Sequence, residues 1–154
     1  DFYLSEKRPD GSWRKRRNAG GPLNTDKNEG GQTLSANGKL LIFTGCDRND
    51  GFGKCDIYYS YRHDDRWTNP TNIGSPVNTR HSDKHPSLSS DGQVLYFASD
   101  RPGGRGGLDI WYSRRDIRGA WGQPVNLGDS INTPGDEQSP FIHPDNQSLY
   151  FFFY

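Results

Sequence analysis

Apolar side chains fall along this chain in short runs, each bounded by Gly, Pro, Asn or Asp. Lys39 to Thr44 and Gln93 to Ala98 are two such runs, and each follows a turn signal, Ala36-Asn37-Gly38 in the first and Ser90-Asp91-Gly92 in the second. Asn-Gly and Asp-Gly tolerate positive φ and so mark tight hairpins, which predicts that Gln32 to Ser35 pairs with the run after it. A Gly-rich connection then leads to a third strand, Asp56 to Ser60 or Asp109 to Ser113, and a polar turn leads to a weak fourth strand near Trp67 or Trp121. Large apolar groups occupy both faces of these strands, which suits sheets covered on both sides by other sheets. No window carries helical spacing, so a helical solenoid is excluded and no helix longer than a turn or two is expected.

The same pattern recurs every 54 residues. Trp13, Trp67 and Trp121 keep that spacing, as do Asn18, Asn72 and Asn126, then Gly20, Gly74 and Gly128. The pairs Asn24-Thr25, Asn78-Thr79 and Asn132-Thr133 follow it, and so do Leu41-Ile42-Phe43, Leu95-Tyr96-Phe97 and Leu149-Tyr150-Phe151. A fixed period of this length decides the architecture before any local reading. One register change occurs: Asp56 and Asp109 are 53 apart, because Thr44-Gly45-Cys46-Asp47 carries one residue more than Ala98-Ser99-Asp100. That slip belongs in a loop or bulge.

Four-stranded units stacked face to face are propeller blades. The expected fold is an all-β partial β-propeller, with residues 1–25 as the third and fourth strands of a first blade, 26–79 and 80–133 as blades, and 134–154 as the first two strands of a further blade. Three units do not close a ring, so either the chain is part of a larger propeller, the favoured reading, or copies self-associate through their terminal half-blades. The absence of Met reads as a processed protein or an excised piece. Eight Phe, eight Tyr and four Trp supply much of the burial, each aromatic removing on the order of 150–250 Å² from water. A net charge of zero gives no global pull toward nucleic acid or anionic membrane, and no stretch approaches the roughly 18 apolar residues of a membrane span.

Ser90 to Ser113, Ser35 to Ser60 and the phrase from Pro124 to Phe151 resemble the TolB-type, WD-repeat-like propellers of bacterial envelopes. More narrowly, they resemble the propeller part of outer-membrane-associated proteins whose blades precede an OmpA-like domain and which serve in or near type IX secretion and gliding. The resemblance implies a periplasmic or outer-membrane-associated scaffold that binds envelope proteins without catalysis or cofactor. This chain departs from the pattern in ending Phe151-Phe152-Phe153-Tyr154, and none of its residues match the OmpA-like part, so peptidoglycan binding is not carried over to these residues.

An oxidising envelope favours a disulfide between Cys46 and Cys55, which bracket the loop Asp47 to Lys54 at the facing ends of adjacent strands. Two free thiols or half of a metal site are the alternatives, although no Cys-x-x-Cys spacing supports zinc. Acids recur at Glu29, Asp83 and Glu137 before each first strand, and at Asp1, Asp56 and Asp109 opening each third strand. Their repetition, like that of Trp13, Trp67 and Trp121, argues for structure, since a glycosidase needs one special pair of acids. The glycines of Asp47 to Gly53 and Asp100 to Gly107 read as positive-φ turns, because the endings of a phosphate loop and the spacing of a calcium loop are missing. His81 and His85 read as surface residues and Arg14 to Arg17 as a solvated edge. Recognition resides most often in variable loops on a rigid scaffold, which singles out Arg48, Phe52, Arg101 and Arg105 as binding residues whose replacement leaves stability nearly unchanged. The rival reading is a carbohydrate-binding or carbohydrate-cleaving propeller that uses Trp67, Trp111 and Trp121 around a pocket.

Overall fold

The computed structural model describes residues 1–154 and contains strands, turns and bends only. No helix is present that is long and apolar enough to cross a membrane. Thirteen strands run in chain order: β1 Tyr3–Leu4, β2 Arg17–Asn18, β3 Asn28–Leu34, β4 Leu40–Cys46, β5 Cys55–His63, β6 Arg66–Trp67, β7 Thr71–Asn72, β8 Asp83–Leu88, β9 Val94–Ser99, β10 Asp109–Arg114, β11 Val125–Asn126, β12 Glu137–Ile142 and β13 Leu149–Phe153. They form four antiparallel sheets, β1-β2, β3-β4-β5 with β6 and β7 both on β5, β8-β9-β10-β11, and β12-β13.

Each hairpin between a first and second strand closes the same way. Gly38 (φ 67°), Gly92 (φ 71°) and Asn146 (φ 58°) occupy one equivalent left-handed position, and their amides donate to the carbonyls of Ser35, Ser89 and His143. Asn is the side chain that substitutes for Gly there, because its short polar group tolerates positive φ. A second left-handed position recurs inside each first strand at Gly31 (φ 49°), His85 (φ 55°) and Ser139 (φ 51°), where the ladder bulges. Nothing in residue type marks this bulge, and it draws His85 away from the open surface into a half-buried position beside Gly31 and the Ser139 amide, 3.3 Å from Nδ1. Burial and the neighbouring Lys84 hold the His85 imidazole below its usual pKa.

The sheets stack through alternating faces of the second strands. Leu41 and Phe43 of β4 point into a core with Leu23 and Tyr58, flanked by Phe2, Ala19 and Trp67. Leu40 and Ile42 point the other way into a core with Ile57, Val77, Leu88, Leu95, Phe97 and Trp111. Apolar groups on both faces therefore have separate destinations, one core on each side of the blade, and the fold is an all-β partial propeller of several blades. Along the stack, strand amides of one blade are capped by hydroxyls of the blade before it: His85 donates to Thr44 Oγ1 (2.8 Å), Leu88 to Thr33 Oγ1 (3.1 Å) and Ile142 to Ser87 Oγ (3.0 Å). These bonds answer the open donors of an edge strand without another strand.

Cys46 and Cys55 face each other across the β4–β5 ladder and form a disulfide, their Cα atoms 4.0 Å apart. The extra residue of this repeat lies in the loop that the disulfide closes, where Asp47 takes a φ of 56°.

Candidate functional site

Two sets of side chains recur along the repeats, and both are occupied in holding the framework. In the first set the buried Asn78 accepts from the Ile57 amide (2.8 Å) and donates to the Ile57 carbonyl and to Asn72 Oδ1, both at 2.8 Å. Asn132 does the same with Ile110 and Asn126, and Asn24 with Phe2 and Asn18. A primary amide can stand in for a strand's backbone because it offers a donor and an acceptor side by side. The Asn-x-Gly triplets close the turn beneath, with Asn72 Oδ1 accepting from Gly74 and Asn126 Oδ1 from Gly128.

In the second set an acid at the start of a first strand meets an arginine from the loop between the second and third strands. Asp83 carries no exposed side-chain surface and is bound by Arg101 at 2.6 Å, by Ser99 Oγ at 2.6 Å, and by the amide and hydroxyl of Thr79. Arg101 also donates to the Val77 carbonyl, and its guanidinium lies 5.0 Å from the Phe97 ring centroid and 5.4 Å from that of Trp111. Glu29 and Arg48 repeat this pair at 2.9 Å, with Arg48 on the Leu23 carbonyl and between Phe43 and Tyr58. One substitution separates the copies. Gly45 stands across the ladder from Glu29 where Ser99 stands across from Asp83, so no hydroxyl serves Glu29 Oε2 or Arg48 Nε, and both atoms are buried without partners. Glu137 is buried and accepts from the amide and hydroxyl of Thr133.

Among the acids that open third strands, Asp56 accepts from the amides of Phe52 (2.7 Å) and Gly53, and Asp109 from those of Arg105 and Gly106 (3.1 Å) and from Asn126 Nδ2. Asp1 accepts from Asn18 Nδ2. Burial pushes the Asp56 carboxyl above its usual pKa, against the two amides that favour its charged form.

The four loop residues therefore separate into two kinds. Arg48 and Arg101 are about nine-tenths buried in framework ion pairs. Their burial argues against the expectation that replacing them leaves stability nearly unchanged, because each neutralises a buried carboxylate. Phe52 is 57% exposed, and Arg105 is exposed with only Asp129 near it at 3.6 Å, each on the outer surface of its loop. Recurrence of Asp47-Arg48 and Asp100-Arg101 at a 53-residue spacing was the available signal for the buried pair, displaced by one residue from the main period.

The loop glycines serve close approach more than positive φ. A Cβ on Gly53 would stand 2.0 Å from the His81 carbonyl oxygen, and one on Gly106 would stand 2.0 Å from that of Gly135. Each loop thus rests on the link that leads to the next blade. Gly106→Ala is expected to cost at least about 2 kcal/mol, since the obstructing atoms are backbone and the site is overpacked. Gly30→Ala, whose Cβ would meet nothing within 4 Å, is expected to stay within about 0.5 kcal/mol of the parent. Urea unfolding midpoints check both.

The three tryptophans of the carbohydrate reading do not converge. Trp67 packs on one core, while Trp121 packs on the other, in which Trp111 is itself buried beneath Arg101 and offers no surface to a pocket. Trp13 is 64% exposed, 6.0 Å from Lys7 Nζ. In the basic run, Arg14 and Arg17 each lie 3.8 Å from Glu6, and Arg16 covers the Tyr3 ring. No group of three or more His, Cys, Asp and Glu side chains comes together in a way that could hold a metal ion.

No family model matches the chain, and no curated protein matches it. Among solved structures, a putative TolB from Agrobacterium tumefaciens aligns over 99% of the chain with a TM-score of 0.63 at 20% identity. TolB from Acinetobacter baumannii aligns over 93% with a TM-score of 0.54 at 14% identity. The chain spans 50% of the length of the first and 29% of the second. A Trypanosoma rangeli sialidase aligns over 98% of the chain at a TM-score of 0.43 and 10% identity. The two TolB structures show that the fold is that of a TolB-type β-propeller.

Proposed function

We propose that this chain is a non-enzymatic β-propeller scaffold that binds proteins in a bacterial envelope assembly, facing the periplasm. The observation that carries this reading is where its chemically able side chains lie. The recurring Asn, Asp, Glu and Arg residues bond to the backbone or to one another, while Phe52 and Arg105 stand exposed on loops that differ from blade to blade. The disulfide fits an oxidising compartment, and the TolB-type fold is one that envelope proteins use. The proposal includes the division into blades at 26–79 and 80–133 with half-blades at 1–25 and 134–154. Its narrower form, service beside an OmpA-like domain in type IX secretion or gliding, rests on the motif resemblance alone.

The test is retention of envelope proteins by the immobilised chain, with a Phe52→Ala/Arg105→Ala double variant beside it and a glycosidase and glycan panel run in parallel. The wild type is expected to retain a defined set that the double variant loses at an unchanged melting temperature. An interface hot spot here is worth about 1–3 kcal/mol. Turnover of any glycoside, or equal retention by the double variant, overturns the reading.

A further inference from the structure

A cleft of about 290 Å³ opens between the five-stranded sheet β3–β7 and the four-stranded sheet β8–β11, at the end of the sheets away from the Phe52 and Arg105 loops. Its floor is Leu40 and Ile42 of β4, its near wall is Tyr59 and Tyr61 of β5 with Ile73, and its far wall is Trp121 with Arg115. The two tyrosine rings meet edge to face at 5.6 Å, and the Arg115 guanidinium lies 4.5 Å from the Trp121 ring centroid. Apolar and aromatic residues thus line a pocket that contains one cation.

That cation is unpaired. No carboxylate lies within ion-pair distance of Arg115, and its Nε is buried without a hydrogen-bond partner. The adjacent acid, Asp116, is engaged in its own turn, with Oδ1 accepting from the amides of Arg118 and Ala120. At the equivalent place in the preceding blade Arg62 pairs with Asp65 at 3.1 Å, so the repeat framework does not require a free arginine here. The burial of Nε shows how firmly the guanidinium is seated. Its two terminal nitrogens are not buried and make no hydrogen bond within the chain, so they are free to donate as a fork to a carboxylate, with both charge and geometry satisfied.

We infer that this cleft binds the C-terminal residue of a partner polypeptide, its carboxylate on Arg115 and its bulky apolar side chain between Tyr59, Tyr61 and Trp121. The volume lies just below the roughly 300–1,000 Å³ typical of small-ligand pockets, enough for one residue and too little for a segment. Only a chain-terminal residue carries a carboxylate and an apolar side chain on one Cα. An internal acidic residue brings its apolar neighbour on a separate Cα and needs more room. The inference rests on the reading of the chain as a protein-binding module but uses a different surface from Phe52 and Arg105.

The test is titration of the intact, oxidised chain with an N-acetylated tetrapeptide ending in Leu-Phe as the free acid, as the C-terminal amide, and with Glu-Phe placed internally and the end amidated. Resonances of Arg115 Nε–H and the Trp121 indole N–H report occupancy. The free acid is expected to shift both saturably, with the amide and the internal-Glu peptide at least tenfold weaker. Arg115→Gln is expected to lose the free-acid preference, whereas Arg114→Gln, which removes an exposed neighbouring charge, keeps it. The comparison of free acid with amide is made on the unaltered chain and so does not depend on any variant folding. Equal binding of acid and amide, equal binding of the internal-Glu peptide, or no saturable shift overturns the inference. None of these results bears on retention through the Phe52 and Arg105 loops, so the broader reading is judged separately.

Discussion

Replacing Arg101 with Met is expected to remove about 3–5 kcal/mol of stability, the cost of leaving a buried charge without its partner. Asp83 has no exposed side-chain surface, and Arg101 is its only cation. The same guanidinium binds Ser99 Oγ and the Val77 carbonyl, so its loss also loosens the link between the second and third sheets. Met keeps the apolar contact with Phe97 and Trp111, which confines the change to charge and hydrogen bonds. Domains of ordinary size hold about 5–15 kcal/mol in total, so the urea midpoint should fall far with little change in slope. Adding Asp83→Asn to Arg101→Met should restore part of the loss, because the stranded charge is gone. Arg48→Met should cost less, since Arg48 makes fewer bonds and its Nε has no partner to lose. A loss below about 1 kcal/mol for Arg101→Met, the range of exposed pairs, would show that the pair does not hold the blades.

What the linear chain disclosed and what it concealed follow from the range of the interactions. The 54-residue period, the hairpins at Asn37-Gly38 and Asp91-Gly92, and the two-faced strands are local patterns, and the structure has them as strands and turns. The role of Arg101 was easy to miss because its acid lies 18 residues earlier in the same blade, across a strand ladder, and only the recurrence of both residues from repeat to repeat points to that meeting. Its position beside a variable, Gly-rich loop suggested recognition, whereas the variable part begins only after it. The glycines misled in a related way. Positive φ is a property of one residue, but the 2.0 Å approach of the Gly135 oxygen to a Cβ on Gly106 belongs to two segments brought together by folding. The bulge at Gly31, His85 and Ser139 left no trace because three unlike residues fill one left-handed position. Arg115 escaped notice for the opposite reason. Its distinction is the lack of a partner that Arg62 has, and a missing contact is visible only once the others are placed.

Asn78→Ala is expected to cost about 2–4 kcal/mol, because truncation strands a buried amide and breaks two further bonds. The Ile57 carbonyl keeps a second donor in the Ile73 amide at 3.0 Å, and Asn72 Oδ1 keeps the Gly74 amide. The Ile57 amide has no alternative, since its residue is fully buried and Asn78 Oδ1 is its acceptor. Asn78→Asp, nearly the same in shape, should cost at least as much, because a carboxylate has no hydrogens to donate and would face the Ile57 carbonyl oxygen. Asn24 makes the same three bonds to Phe2 and Asn18 at a half-buried site, where water can replace them, so Asn24→Ala should cost about 1 kcal/mol or less. Native-state hydrogen exchange separates bond loss from general loosening. In Asn78→Ala the Ile57 amide should lose protection beyond the fall in global stability, while the amide of Ile110, held by Asn132, should fall only with the global value. Parallel loss at both amides would mean that Asn78 acts through packing and not as a substitute for a strand.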